Sequence, residues 1–271
     1  MKKKFYFLKR SWKMQMKLKR RLTYFLLISL LVLSSCGKKS VTQETSETEQ
    51  DITESITTEQ TQTTANEATT EEPKEENPID FKAYWEIDKN VYAYIEIPDT
   101  RISYPVLQSD DEQPEDYYLD HNLDGSTGYP GCIYTQRLNS KDFDDYNTIL
   151  YGHNMKNGEG FRDLHKFSEK DFFDNNKYVY IYTPDELLTY EIFAAYEFSD
   201  DHILYAYDFS NVKGYQEYID MLKNYGSGYF RDVDSLTTDD RIITLSTCTS
   251  VDIKRYLVQA KLVDKKGLFL R

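Results

Sequence analysis

One cysteine at the end of an apolar run is the residue in this sequence best suited to covalent chemistry. Cys248 closes the run 241–247, which is rich in β-branched residues, and this predicts that Cys248 stands at the tip of a strand. A thiolate is a strong nucleophile, but acyl transfer also needs a proton shuttle and a positive group for the developing oxyanion. If Cys248 is a nucleophile, other parts of the chain must bring both groups beside it.

Of the four histidines, His153 is the best placed proton shuttle. It follows the predicted strand 147–151 and stands beside Gly152, whose backbone freedom can help to aim a side chain. The alternatives are a structural role for His153 at a loop entrance and a catalytic role for His121. The other two histidines are expected on the solvated surface: His165 in a predicted helix and His202 in a polar loop.

The positive group is predicted to be Arg255 or Lys254, which follow Cys248 at the start of the next predicted strand. Arginine keeps its charge and offers a planar fork of donors, which suits an oxyanion or a substrate carbonyl better than an ammonium does. Strand alternation favours Arg255, because Lys254 points away if Arg255 shares the cleft face with Cys248. A solvated strand end is the alternative for Arg255, and Lys254 is kept as the fallback.

The remaining cysteine of the predicted domain, Cys132, is interpreted as a small apolar residue packed at the start of a strand. A disulfide between Cys132 and Cys248 would silence the nucleophile, so both are predicted to be free thiols. No histidine and cysteine cluster has zinc spacing, and no glycine-rich phosphate loop is present. The sequence therefore predicts neither a metal site nor a cofactor.

Residues 1–77 are predicted to export and tether the protein. Residues 1–39 carry a basic run and then a short apolar run, the pattern of an export signal. The residues before Cys36 resemble a lipobox, in which this cysteine carries lipid; the alternative is an uncleaved signal anchor. Residues 40–77 are acidic and rich in Thr, Ser, Glu and Gln, which predicts a disordered spacer. Either tether predicts a location at the outer face of the cell membrane.

Residues 78–271 are predicted to form one mainly β domain with inserted helices. Aromatic residues make up 15% of the chain, which favours sheet. The net charge of the chain is −13, so a nucleic-acid partner is not expected. Many short strands with helices in their connections indicate a closed or nearly closed β-barrel. The predicted strands are 91–97, 102–107, 131–135, 147–151, 178–182, 187–198, 241–245 and 256–263, and the predicted helices are 80–87, 161–173 and 215–225.

Two longer motifs surround the candidate cysteine and histidine. Residues 244–248 read Thr-Leu-Ser-Thr-Cys and precede a downstream arginine, while residues 147–155 read Asn-Thr-Ile-Leu-Tyr-Gly-His-Asn-Met. These motifs, in this order, resemble those of the sortases. Residues 161–164 and the helix at 215–225 resemble class B in particular. The resemblance covers about residues 78–271 and implies an eight-stranded sortase-type β-barrel.

The resemblance implies a cysteine transpeptidase of the bacterial cell surface. By motif, Cys248 is the expected nucleophile, His153 the general acid/base, and Arg255 the residue that stabilises the oxyanion or positions the substrate. Ser246 matches the motif serine that lines the substrate cleft. Weaker candidates for substrate contacts are Asn122 and, in the segment 200–228, Leu204 and Tyr205.

The implied reaction is a two-step acyl transfer. Cys248 attacks the threonine carbonyl of a sorting signal, expected to be Asn-Pro-x-Thr-like, and an amine from peptidoglycan or its precursor resolves the thioester. Hydrolysis is expected where no amine is present. The sequence departs from the family in its short connection between Cys248 and Arg255 and in its lipobox. Two alternatives are another cysteine acyl-transferase or peptidase of the wall, such as an L,D-transpeptidase, and a non-enzymatic surface lipoprotein with a structural Cys248.

Overall fold

The structure is a computed structural model that describes residues 75–251 and 253–270. The predicted export segment with Cys36, and most of the predicted spacer, lie outside these residues. Within the described ranges, no helix is both long enough and apolar enough to cross a membrane.

Ten β-strands are found in the described residues, and eight of them close into a barrel. The barrel order is β10-β9-β5-β4-β3-β2-β6-β7, and β7 pairs again with β10 to complete the ring. The strands are β1 (Glu75–Glu76), β2 (Val91–Glu96), β3 (Ser103–Gln108), β4 (Ile133–Thr135), β5 (Asn147–Tyr151), β6 (Tyr178–Tyr182), β7 (Glu186–Ser199), β8 (Tyr229–Phe230), β9 (Ile242–Cys248) and β10 (Lys254–Phe269). The predicted eight-stranded barrel is therefore confirmed.

Short helices occupy the connections between the strands. The α-helices are α1 (Phe81–Trp85), α2 (Lys170–Asn175), α3 (Ile203–Ala206) and α4 (Val212–Lys223), and the 3₁₀ helices are η1 (Tyr117–Leu119), η2 (Arg162–Ser168) and η3 (Val233–Ser235). Asp80 caps α1 as predicted, since its side chain accepts a hydrogen bond of 3.0 Å from the backbone N–H of Ala83.

The parallel pairing of β5 with β9 decides where the functional residues meet. Tyr151, the last residue of β5, is the register partner of Ser246 on β9. Because the two strands run in the same direction, the residues that follow β5 emerge beside the end of β9. The chain turns directly after Cys248 and returns antiparallel as β10. Three segments therefore converge at one rim of the barrel.

Two apolar cores hold this rim in place. Alternate strand residues fill the barrel interior, and each fully buried large apolar side chain contributes about 1.5–3 kcal/mol. Outside the barrel, α4 packs its apolar face, including Tyr218 and Leu222, against the sheet. Buried Gln259 on β10 connects the two layers, because its Nε2 donates to Tyr218 Oη and to Thr244 Oγ1, each at 2.7 Å.

The structure corrects the predicted helix 161–173 and the predicted start of the folded part. The single helix predicted for 161–173 is instead η2 followed by α2, because Glu169 between them is extended. The fold also includes residues 75–77, which the composition predicted to be spacer. Asn77 is fully buried, and its Nδ2 donates to Thr183 O at 2.8 Å.

Asp163 in η2 fastens the loop after β5 to the turn between β2 and β3. Its side chain is only 5% exposed and accepts hydrogen bonds from the backbone N–H of Arg101 (3.0 Å) and from Arg101 Nη2 (2.8 Å). The Arg101 side chain lowers the pKa of Asp163 to about 2. A carboxyl whose pKa is depressed by folding stabilises the fold above its unfolded pKa of about 4, and this contribution disappears as the pH falls toward 2.

We therefore expect Asp163→Asn to lower the free energy of unfolding at pH 7 by about 2 kcal/mol, as measured by urea denaturation. The difference from the parent protein should shrink progressively as the pH falls from about 4 to about 2. Asp239→Asn, at an exposed position, is the matched control and should change little. A deficit that does not vary with pH would contradict the assignment of the effect to the Asp163 charge.

Candidate active site

Cys248 is the last residue of β9 and lies at the barrel rim. The six residues before it in the strand are buried, whereas Cys248 itself is exposed. Ser246 lies two residues earlier, so its side chain points to the same side of the sheet, and it is only 7% exposed. The Cys248 thiol is therefore accessible at the end of a strand that is otherwise buried.

The register of β9 and β10 separates Arg255 from Lys254. Arg255 is the direct cross-strand partner of Cys248, so the two side chains share one face with Cβ atoms about 5 Å apart. Lys254 points to the other side, and its Nζ lies 2.6 Å from Glu197 Oε2 on β7. The arrangement that strand alternation predicted is therefore found, and it brings Arg255 beside the thiol.

His153 follows β5 on the other flank of Cys248. Gly152 N donates to Ser246 O at 3.2 Å, which carries the parallel pairing one residue past β5. His153 Nε2 lies 2.7 Å from Leu119 O, and because a carbonyl only accepts, Nε2 must carry the proton. This bond leaves Nδ1 as the nitrogen that can exchange a proton. The role of His153 as general acid/base stays a prediction.

The glycines of this loop are needed for close packing. A Cβ on Gly152 would lie 2.5 Å from Ile133 Cδ1 and 2.8 Å from the ring of Phe161. Gly152 has no positive φ, so what this position requires is the absence of a side chain. Gly160 does have one (φ 65°), and it lets Phe161 N return to His153 O at 2.8 Å.

Two histidines that were expected on the solvated surface are partly buried near the rim. His165 Nε2 lies 3.0 Å from Cys248 O, and the His165 ring stacks on Tyr256 with centroids 5.0 Å apart. His202 lies against Tyr151 and Tyr205. Burial lowers the pKa of both imidazoles. The sequence does not show that either histidine lies near the rim, because closure of the barrel brings η2 and α3 there.

His121, the alternative catalytic histidine, and Cys132, the other cysteine of the domain, make contacts of their own. The His121 ring stacks on Tyr117 at 3.8 Å, and its Nδ1 lies 2.8 Å from Tyr117 O. Cys132 and Cys248 are both free thiols, as predicted. Burial raises the pKa of the Cys132 thiol to about 12, so Cys132 is a poor nucleophile at neutral pH.

The predicted substrate contacts lie in two segments. Asn122 shapes the loop before β4, since its Oδ1 accepts from Gly131 N and its Nδ2 donates to Ser126 Oγ, each at 3.0 Å. Leu204 and Tyr205 lie on α3, and Tyr205 is 48% exposed beside His202. These three residues, and Ser246, stay predictions as substrate contacts. Within the described ranges, no group of three or more His, Cys, Asp or Glu side chains could hold a metal ion.

Comparison with known proteins decides the family. The Sortase domain family model matches residues 95–263 of this chain. Sortase B of Listeria monocytogenes is 38% identical over 183 residues, which cover 66% of this chain and 72% of that protein. The chain belongs to the sortase family.

Solved structures show the same class B fold. Sortase B of Clostridium perfringens has a TM-score of 0.59 and 32% identity, and the match covers 68% of this chain and all (100%) of that chain. The Staphylococcus aureus sortase B–substrate complex has a TM-score of 0.60 and 29% identity, with coverage of 68% and 84%. The chain is thus a class B sortase, as the sequence motifs predicted, and a class B sortase is a cysteine transpeptidase. The rim with Cys248, His153 and Arg255 is its candidate active site.

Proposed function

We propose that this class B sortase cleaves a C-terminal sorting signal after threonine through a thioester on Cys248 and transfers the acyl group to a cell-wall amine. The observation that carries the proposal is an exposed thiol at the end of β9, with His153 on one flank and Arg255 directly across the hairpin. Other class B sortases have been solved with a substrate and with triglycine. Those complexes support a peptide donor and an amine acceptor here.

In the first step, the Cys248 thiolate attacks the threonine carbonyl, and Arg255 stabilises the developing oxyanion. The C–N bond breaks, and His153 gives its proton to the leaving amine. In the second step, the acceptor amine attacks the thioester and loses a proton to His153. The C–S bond breaks and the thiolate returns. Water in place of the amine gives hydrolysis.

The proposed donor carries an Asn-Pro-x-Thr-like signal. Ser246 lies on the Cys248 side of β9, and Tyr205 offers an exposed aromatic face on α3. We assign the weaker contacts to Leu204 and Asn122. The acceptor is a peptidoglycan amine or the amine of a peptidoglycan precursor.

The proposed location is the outer face of the cell membrane, with the N-terminus as tether. The support is the basic and then apolar pattern of residues 1–39, in which Cys36 is either a lipid attachment site or part of a signal anchor. A non-enzymatic lipoprotein is the weaker alternative, because a structural Cys248 would be buried and this thiol is exposed.

We expect the full-length protein to cleave a quenched Asn-Pro-x-Thr peptide and to join its N-terminal fragment to an added amine. Liquid chromatography with mass spectrometry should find the amide product with the amine and the free carboxylate without it. A peptide with the signal residues in scrambled order is the control. Hydrolysis that persists at saturating amine, with no amide product, would favour the alternative of a wall peptidase.

A further inference from the structure

The pairing of β5 with β9 continues past the end of β5 through a side chain. Gly152 N donates to Ser246 O, one residue beyond the Tyr151 partner position. The next bond of a parallel ladder would run from the backbone N–H of Asn154 to Cys248 O. Instead, Asn154 Nδ2 donates to Cys248 O at 2.8 Å. A side-chain amide therefore takes the place of the ladder bond at the nucleophile.

A neighbouring arginine fixes the orientation of this amide. Arg162 Nη1 donates to Asn154 Oδ1 at 3.0 Å. A guanidinium has only donors and a carbonyl only accepts, so Oδ1 must face Arg162 and Nδ2 must face Cys248. A rotation of the amide by half a turn would break both hydrogen bonds. Arg162 therefore holds the donor of Asn154 on the nucleophile.

His165 lies against the same carbonyl. Its Nε2 is 3.0 Å from Cys248 O and 3.0 Å from Asn154 Nδ2. With the proton on Nε2, His165 gives the carbonyl a second donor, and the two lone pairs of the oxygen can accept both. Burial lowers the pKa of His165, which favours the neutral ring. The bond from Asn154 is made in either tautomer of His165.

We propose that Asn154, oriented by Arg162, is a positioning residue that fixes the general acid/base relative to the nucleophile. Asn154 directly follows His153, and its side chain donates to the backbone carbonyl of Cys248, so one hydrogen bond joins the nucleophile to the neighbour of His153. The loop is closed separately by Phe161 N, which donates to His153 O at 2.8 Å. Loss of the Asn154 bond should therefore loosen the end of β9 and leave the loop folded.

The inference rests on the proposed function, since it assumes acyl transfer at Cys248. A misplacement of reacting atoms by about 1 Å can cost on the order of 100-fold in rate. Asn154 does not need to touch the substrate to have this effect. Loss of its hydrogen bond should therefore lower kcat and leave KM nearly unchanged. A sulfur held less firmly beside His153 also passes its proton to the imidazole less readily, so alkylation of Cys248 should be slower.

Asn154→Asp tests this role with a side chain of nearly the same shape. The aspartate still accepts from Arg162, but it turns an acceptor oxygen toward Cys248 O, which repels it. In the full-length protein, we expect kcat for donor cleavage to fall by about 10- to 100-fold with KM changed by less than about twofold. Asn154→Ala, which adds no negative charge beside the sulfur, should show a loss of kcat of the same kind and slower alkylation of Cys248 by iodoacetamide.

The matched control is Asn157→Asp in the same loop, where the amide donates to Glu159 and not to Cys248. It should leave kcat and the rate of Cys248 alkylation unchanged. Arg162→Met should give a smaller loss of the same kind, because the amide is then free to rotate, and Arg162→Lys should restore part of it by keeping a donor. This pair keeps the test decisive if Asn154→Asp fails to fold.

Unchanged kcat in both Asn154 variants, with an unchanged rate of alkylation in Asn154→Ala, would overturn the positioning role. So would a loss of kcat that is accompanied only by a lower melting temperature, because that pattern indicates a purely structural residue. Alkylation needs no sorting signal. Slower alkylation in Asn154→Ala, in a protein that cleaves no peptide, would therefore support the positioning role while refuting the proposed substrate.

Discussion

Replacing Cys248 with alanine should abolish both cleavage of the sorting-signal peptide and transfer to the amine. Removal of the nucleophile from a group that acts as a unit commonly costs more than about 10³-fold in kcat. Because Cys248 is exposed at the end of a strand, its truncation leaves no cavity, and the melting temperature should not change. Initial rates with the quenched peptide, followed by product analysis, check both statements.

The matched control for this variant is Cys132→Ala. The Cys132 thiol is partly buried, its Sγ lies 3.4 Å from His121 O, and burial raises its pKa to about 12. Full activity in Cys132→Ala, beside an inactive Cys248→Ala, would assign the chemistry to one thiol. Cleavage that survives in Cys248→Ala would contradict the proposed thioester.

Arg255→Met should lower kcat/KM by about 10²- to 10³-fold, the usual cost of removing one donor to an oxyanion. Arg255 shares its sheet face with Cys248, whereas Lys254 is paired with Glu197 on the other side. Lys254→Met should therefore lower kcat/KM by less than about threefold, because Lys254 points away from the thiol and exposed ion pairs contribute little. Steady-state kinetics of the two variants, measured side by side, separate these effects.

Arg255→Lys refines the same test. It keeps the charge but loses the planar fork of donors, so we expect an activity between those of the parent protein and Arg255→Met. If instead Lys254→Met were the damaging substitution, the fallback assignment would be right and the register argument for Arg255 would be wrong.

Local patterns in the sequence were enough to predict the barrel and the rim. The run 241–247 is rich in β-branched residues and favours a buried strand, which places Cys248 at its end. Period-two alternation then distinguished Arg255 from Lys254, and the structure has that register. The motif around His153 added the class B family. These features depend on residues that are close together in the sequence, so local patterns can predict them.

Contacts that depend on barrel closure could not be predicted. Asn154 and Cys248 are separated by 94 positions in the sequence, and nothing local shows that they meet. The same holds for His165, which η2 carries beneath the end of β9, and for Asn77, which is buried by the turn before β7. A helical period predicts one apolar face, but it does not say which partner covers that face.

The most direct test of the covalent mechanism is the intact mass of the full-length protein during turnover. The protein is mixed with an Asn-Pro-x-Thr peptide, without amine, quenched in acid and then mapped by proteolysis. We expect a mass increase equal to the peptide fragment that ends in threonine, carried on Cys248 and released as an amide when an amine is added. Peptide cleavage with no adduct on Cys248, or with an adduct on another residue, would contradict a Cys248 thioester.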